Sequence, residues 1–334
     1  MDGICTLAND KVYEQVIALL NSIEAIYGQE MPVCIYPYND DTAKLSAEIA
    51  HRPQVQIYND QVSIQRWDEF VCNIWDAHPT AAEHWSKLGK DKYYRVGTHR
   101  RYGAFNGPFD RFVYMDADTL LMSPLTAIFN QLNNYDWVVY DFQYTDLSHV
   151  YNQSSAKLTE IFTPQQLQTE IFCSGFYASK KGVFDAQVRE SLLEKLRMGE
   201  AEILYDMAPD QTILNYMVMR SGISSYNFAL ELPESEKTGC CVVSEHFQTQ
   251  DNILYDQGKQ LTYLHYIGLS SKLFQRVCEG ENIDFPYRDV FLHYRYLHEP
   301  EKRPKFTTKA KAYNAPPSLA TKVFRKLGIP GGGK

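Results

Sequence analysis

Within the first sixty residues the hydrophobic pattern switches repeatedly between strand and helix, and that alternation constrains the fold more than any other feature. Residues 3–8 form a short, mostly apolar run that Asn9-Asp10 breaks, after which Val12, Val16, Leu19, Leu20 and Ile23 recur at helical spacing as far as Gly28. Residues 31–36 make a second buried strand, closed by Pro37 and Asn39; a polar helix around 41–50 and a third strand at 55–58 follow. Strands alternating with helices require a parallel sheet with right-handed crossovers. Residues 63–108, with Trp67, Trp75 and Trp85, are expected to form helices ending in His99-Arg100-Arg101-Tyr102. Further strands are expected at 111–115, 138–140, 172–179 and 261–267. Helices are expected at 192–196 and 211–219, the second capped by Pro209-Asp210.

Composition excludes several classes. The chain has 334 residues, 44% hydrophobic and 22% charged, which fits a folded globular protein rather than a disordered or fibrous one. A net charge of −8 argues against a nucleic-acid binder, which carries a basic footprint. No apolar stretch reaches the roughly 18 residues of a membrane span, and the opening residues lack the pattern of a signal peptide. The seven cysteines are scattered without a Cys-x-x-Cys pair, which points to reduced thiols in a cytoplasm. Nine of the 33 basic residues and none of the acidic ones fall in 302–334. That tail reads as solvated, or as drawn to an anionic membrane surface, with 318–327 able to form a basic amphipathic helix.

The most informative stretch is 109–124, FDRFVYMDADTLLMSP. An apolar, aromatic strand ends abruptly in Asp116-Ala117-Asp118, and positions i and i+2 of an extended chain share a face. Two carboxylates held together repel unless a cation lies between them, and a hard divalent ion with oxygen ligands, Mn2+ or Mg2+, relieves this. The carboxyl end of a strand is also where open α/β sheets bind ligands. A second feature is His265-Tyr266-Ile267-Gly268 with Lys272 beyond it: the imidazole offers a nitrogen ligand, Gly268 a close backbone approach, and Lys272 a charge for a phosphate. A turn-capping carboxylate pair and a structural histidine account for the same residues without any metal. Asp141, after the apolar run at 138–140, is a further acidic group at a strand end, whereas the 291–298 segment FLHYRYLH reads as aromatic packing.

Five segments in order resemble GT-A glycosyltransferases of the family 8 type, the group of glycogenin and the bacterial lipooligosaccharide galactosyltransferases. They are Thr6-Leu7-Ala8-Asn9-Asp10 with Tyr13 and Ser22; Tyr114 to Leu120 around Asp116-Ala117-Asp118; Phe172-Cys173-Ser174-Gly175; Asp210 to Asn215; and His265 to Gly268. The resemblance implies a GT-A, Rossmann-like α/β fold with a central mixed, mostly parallel sheet. It implies Mn2+ (or Mg2+) held by Asp116, Asp118 and His265. It implies a UDP-sugar held by Thr6, Ala8, Asn9, Asp10, Tyr13, Arg100, Arg101, Ala117, Cys173, Ser174, Gly175, Gly268 and Lys272. Asp210 and Gln211 would lie against the donor sugar, with transfer to a glycan, lipid, protein or small-molecule hydroxyl and retention of configuration. Cys173 stands where the family usually carries asparagine, and the His-x-x-Gly segment is followed by Leu-Ser-Ser-Lys instead of the family's shorter spacing. The expected organisation is one catalytic domain at 1–285, with a nucleotide half at 1–118 and a donor and acceptor half at 119–285, then an extension at 286–334. The competing readings are a nucleotidyltransferase on the same type of sheet and a nucleotide-sugar-binding or partner-binding relative with little catalysis.

Overall fold

The computed structural model describes residues 1–314. Strands β1 (Asp2–Ala8), β2 (Val33–Pro37), β3 (Val55–Ile57), β4 (Arg111–Met115), β5 (Thr119–Leu121), β6 (Trp137–Val139), β7 (Phe176–Lys180) and β8 (Ser225–Asn227) come first along the chain. All but β5 join one seven-stranded sheet in the order β3-β2-β1-β4-β7-β6-β8. Only β7 runs against its neighbours β4 and β6; the other pairings are parallel. This is the α/β, mostly parallel architecture that the alternating pattern calls for.

The period of two explains the layering. Ile4 and Ala8 of β1, with Val113 and Met115 of β4, face the helix Tyr13–Tyr27 and pack with Val16, Ile17, Leu20 and Ile23. Cys5 and Leu7, with Phe112 and Tyr114, face the opposite side, where the helix Gln61–Ala77 buries Ile64, Trp67, Val71 and Ile74. All four tryptophans sit in that second layer. With both faces covered, the strands need no polar side, and β4 therefore reads as an unbroken apolar run.

After the sheet, β9 (Gln248–Gln250), β10 (Ile253–Asp256) and β11 (Lys259–Gln260) form a small antiparallel sheet, and β12 (Tyr263–His265) pairs antiparallel with β5. The helices Ser271–Cys278 and Arg288–Arg295 close a third apolar cluster over Leu120, Leu264 and Tyr266. Arg288–Arg295 also lies against the first helix: Asn21 Nδ2 donates to the Tyr294 carbonyl at 2.7 Å, and Arg295 pairs with Glu14. Among the described residues no helix is long and apolar enough to cross a membrane. The 318–327 helix and most of the basic tail lie outside the described residues.

Three expectations change. Residues 172–175 are a turn leading into β7 rather than its first half, because the Asn215 side chain takes both the amide and the carbonyl of Phe172 and Gln211 and Arg101 take those of Ser174. The last strand is short and leaves the main sheet for β5. Asp210 does not cap the helix Pro209–Ser221, which starts on Pro209 with no side-chain cap; its carboxylate is engaged by an arginine instead. β8 carries no apolar run and is not anticipated.

Candidate active site

Register builds the centre. Asp116 leaves β4 at the sheet's carboxyl edge, and the turn 116–118 closes when the Thr119 amide and hydroxyl both donate to the Asp116 carbonyl, at 3.0 and 2.7 Å. The chain then enters β5, where Thr119 stands opposite His265 of β12, and the Tyr266 amide donates to the Asp118 carbonyl at 2.9 Å. The imidazole is thereby delivered to the aspartate pair: His265 Nε2 lies 3.4 Å from Asp118 Oδ1. Ligand atoms of Asp116, Asp118 and His265 all fall within 4.8 Å of one another. On the far side the Asp116 amide donates to the Gly175 carbonyl at 2.9 Å, bringing the 172–175 turn against the same carboxylate. A Cβ on Gly175 would sit 2.4 Å from His265 Cε1 and 3.0 Å from Asp116 Oδ2, so only glycine admits both groups.

Arg101 holds the floor. It is buried, and its guanidinium donates to the Thr98 and Ser174 carbonyls at 3.0 Å each while reaching Asp116 Oδ1 at 3.1 Å and Asp210 Oδ2 at 3.2 Å. The Tyr114 hydroxyl donates to Asp116 Oδ1 at 2.8 Å, and the Tyr114 ring lies under the guanidinium at 4.7 Å. Burial opposes ionisation of Asp210, but Arg101 and then Arg95 outweigh it and hold the carboxyl below its usual range. Burial likewise raises Asp116, and its effect exceeds the pull of Arg101; at Asp118 the neighbouring His265 overcomes burial and lowers the carboxyl. Burial depresses His265, yet Asp118 raises it well above an ordinary histidine. Two carboxylates driven apart in this way form a site that a cation relieves.

A cavity of about 390 Å³ opens beside this centre, lined among others by Ala8, Asn9, Arg101, Asp116, Ala117 and Asp118. Of the other residues singled out in the sequence, several lie elsewhere. Thr6 is buried in β1. Asp10 accepts from the Lys44 and Leu45 amides at 2.8 and 2.9 Å. Tyr13 donates to Glu48 at 3.0 Å and lines a neighbouring cavity. Arg100 is paired with Asp68 at 3.0 Å. Gly268 and Lys272 are exposed and are not in the lining, where Leu269 and Ser271 stand instead. Gly268 has φ +81° with open space around it, so its backbone conformation rather than a close approach asks for glycine.

Cys173 is half-buried in the turn before β7. Gln211 is held at both ends: its Oε1 accepts from the Ser174 amide at 3.2 Å and its Nε2 donates to the His149 carbonyl at 3.3 Å. Asp141 is buried with Oδ2 unpartnered among the described residues, and burial pushes its carboxyl up to about 7. The lining also includes Lys11, Val12, Gln15, Tyr38, Arg95 and Thr98, which the sequence reading missed. Tyr38 was within reach, since it follows β2 as Asn9 follows β1; Arg95 and Thr98 sit at the start of the 3-10 segment Val96–Asn106, which has no readable period.

The sheet order, with the acidic turn at its carboxyl edge, is that of the GT-A fold. Among solved structures the chain is similar to the galactosyltransferase LgtC in complex with donor and acceptor sugar analogues, at 13% identity and a TM-score of 0.51, covering 83% of this chain and 95% of that one. It is also similar to mouse xyloside xylosyltransferase 1 in its apo form, at 9% identity and a TM-score of 0.47, covering 68% and 85%. No protein-family profile and no curated protein matches the sequence.

Proposed function

We propose that this protein is a Mn2+-dependent glycosyltransferase that moves a sugar from a UDP-sugar to an acceptor hydroxyl with retention of anomeric configuration. The observation that carries the reading is the convergence of Asp116, Asp118 and His265 on the edge of a nucleotide-sized cavity in a GT-A fold. The donor set fits the metal: two carboxylates and one imidazole suit an ion that takes oxygen and nitrogen together. Bound there, Mn2+ would supply Lewis-acid neutralisation of the leaving diphosphate.

The chain's own residues supply the rest. Asn9, fixed by donating to Asn39 Oδ1 at 3.0 Å, presents the end of β1 to the base, with Ala8 and Val12 as apolar wall. Arg101 fixes Asp116 and Asp210 relative to each other, so the cation site and the sugar end form one rigid unit. Gln211, anchored at both ends of its amide, is placed to flank the sugar without acting as a strong nucleophile. The bond between the anomeric carbon and the phosphate oxygen breaks with its electron pair going to phosphate. The acceptor oxygen bonds the same face, and its proton passes to the departing phosphate, so no enzymic base is needed. LgtC, which shares the fold, has been crystallised with donor and acceptor sugar analogues, in keeping with such a site.

A screen of UDP-sugars with Mn2+ tests this. Slow UDP release from at least one donor, lost on chelation and in Asp118→Asn, is the expected result. Pyrophosphate exchange in place of release would assign a nucleotidyltransferase, and tight UDP binding with no turnover on any donor would assign a binding protein.

A further inference from the structure

The cations around the cavity are not distributed as the sequence suggests. Arg100 is tied to Asp68, Lys272 is exposed outside the lining, and Arg101 is buried with its donors taken by two carbonyls and two carboxylates. Two lining cations remain whose side chains make no hydrogen bond or ion pair among the described residues, Lys11 and Arg95. Lys11 follows Asn9, at the end of the cavity assigned to the base. Arg95 is tied through its carbonyl to Thr98, whose own carbonyl accepts from Arg101, and its charge reaches Asp210.

The backbone holds Arg95 in place at a cost. Its φ of 57° is left-handed, a conformation that arginine rarely adopts. The Thr98 amide and hydroxyl both donate to its carbonyl, at 2.9 and 2.6 Å, and fix the turn. Gly97 packs so closely on Tyr38 that a Cβ would lie 2.3 Å from the Tyr38 carbonyl oxygen. A strained turn, tied down by Gly97 and Thr98, presents an exposed guanidinium to the cavity with the Asp210 carboxylate as the acidic group it faces, and such a planar fork suits an anion.

We propose that Arg95, not Lys272, is the side chain that grips the terminal phosphate of the nucleoside diphosphate and takes up its charge as the sugar departs. This rests on the UDP-sugar reading and names the residue that makes the site select a diphosphate over a monophosphate. A planar fork meets two phosphate oxygens at once, and the charge it meets grows as the bond breaks.

Calorimetric titration of UDP and UMP in the presence of Mn2+ tests the assignment on wild type, Arg95→Asn and Lys272→Ala. Asparagine tolerates the left-handed backbone, and unfolding without ligand checks that the turn survives. The expected result is that wild type prefers UDP, that Arg95→Asn weakens UDP by about ten- to a hundredfold and UMP little, and that Arg95→Lys recovers part. Unchanged UDP binding in Arg95→Asn, or the larger loss in Lys272→Ala, would overturn the proposal and leave the glycosyltransferase reading standing. If wild type binds no UDP at all, the donor reading itself fails, and the assignment of Arg95 falls with it.

Discussion

Gly175 decides whether an imidazole and two carboxylates can share one site. Replacing it with alanine forces a methyl group against the His265 ring and Asp116. We expect Gly175→Ala to lose metal-dependent UDP binding by more than about tenfold while the melting temperature falls by only about 2–4 °C, since the clash is local. Arg101 acts through charge. Arg101→Leu would leave the buried Asp210 and the half-buried Asp116 without their counter-ion, at a cost of about 3–5 kcal/mol in urea unfolding; Arg101→Lys, which cannot span both carboxylates, should recover only part. Asp141 gives a pH signature. Burial raises its carboxyl to about 7, against about 3.9 in an unfolded chain, so between these values the folded protein keeps a proton that the unfolded chain has lost. Its contribution therefore makes stability fall as pH rises from about 4 to 7 and level off above, by up to about 4 kcal/mol. Comparing urea midpoints at pH 5 and pH 8 should show a smaller decline in Asp141→Asn than in wild type; equal declines would contradict this.

At the level of elements, β5 and β12 are three residues each, yet their register, with the Cys240 carbonyl and Val242 amide bonded to the other side of His265, sets the imidazole against Asp118. A slip of one residue would turn the imidazole to the other face. What holds that pair is the apolar cluster behind it, in which Phe291 packs on Phe274 at 4.7 Å and on Tyr266 at 6.1 Å. Phe291→Ala should therefore cost about 3–5 kcal/mol of stability, measured by chemical unfolding, although it lies beyond residue 285. Its UDP affinity under folding conditions should stay near wild type, which separates support of the fold from contact with ligand. The elements legible in the sequence were those with a strong period or an abrupt end: β1 to β4 and β6, the first helix and the helix Pro209–Ser221. β8, Ser-Tyr-Asn, has neither. The turn 172–175 reads as strand because its apolar residues continue into β7, and what separates them is the hold of the Asn215, Gln211 and Arg101 side chains on the Phe172 and Ser174 backbone.

Across the whole molecule, the sheet was readable because buried parallel strands must be apolar and must alternate with helices. Asp116, Asp118 and His265 were readable because charge at the end of an apolar strand is costly unless something needs it. Of the cavity wall, Ala8, Asn9, Arg101 and Ala117 were readable with them, and the rest was not. Lys11, Gln15 and Arg95 are polar residues on a helix start, a helix face and an irregular turn, and only three-dimensional closure shows that they meet one space. Arg100 and Lys272 had the right chemistry and sequence position, but an ion pair with Asp68 in one case and the longer loop after Gly268 in the other leave them out. The centre itself can be tested without knowing sugar or acceptor, by titrating Mn2+ into the protein with UDP and counting bound ion by its paramagnetic resonance. The account predicts one tightly held Mn2+ per chain, its affinity raised by UDP and lost in both Asp118→Asn and His265→Ala. Retention of that ion in either variant, with the protein folded, would contradict it.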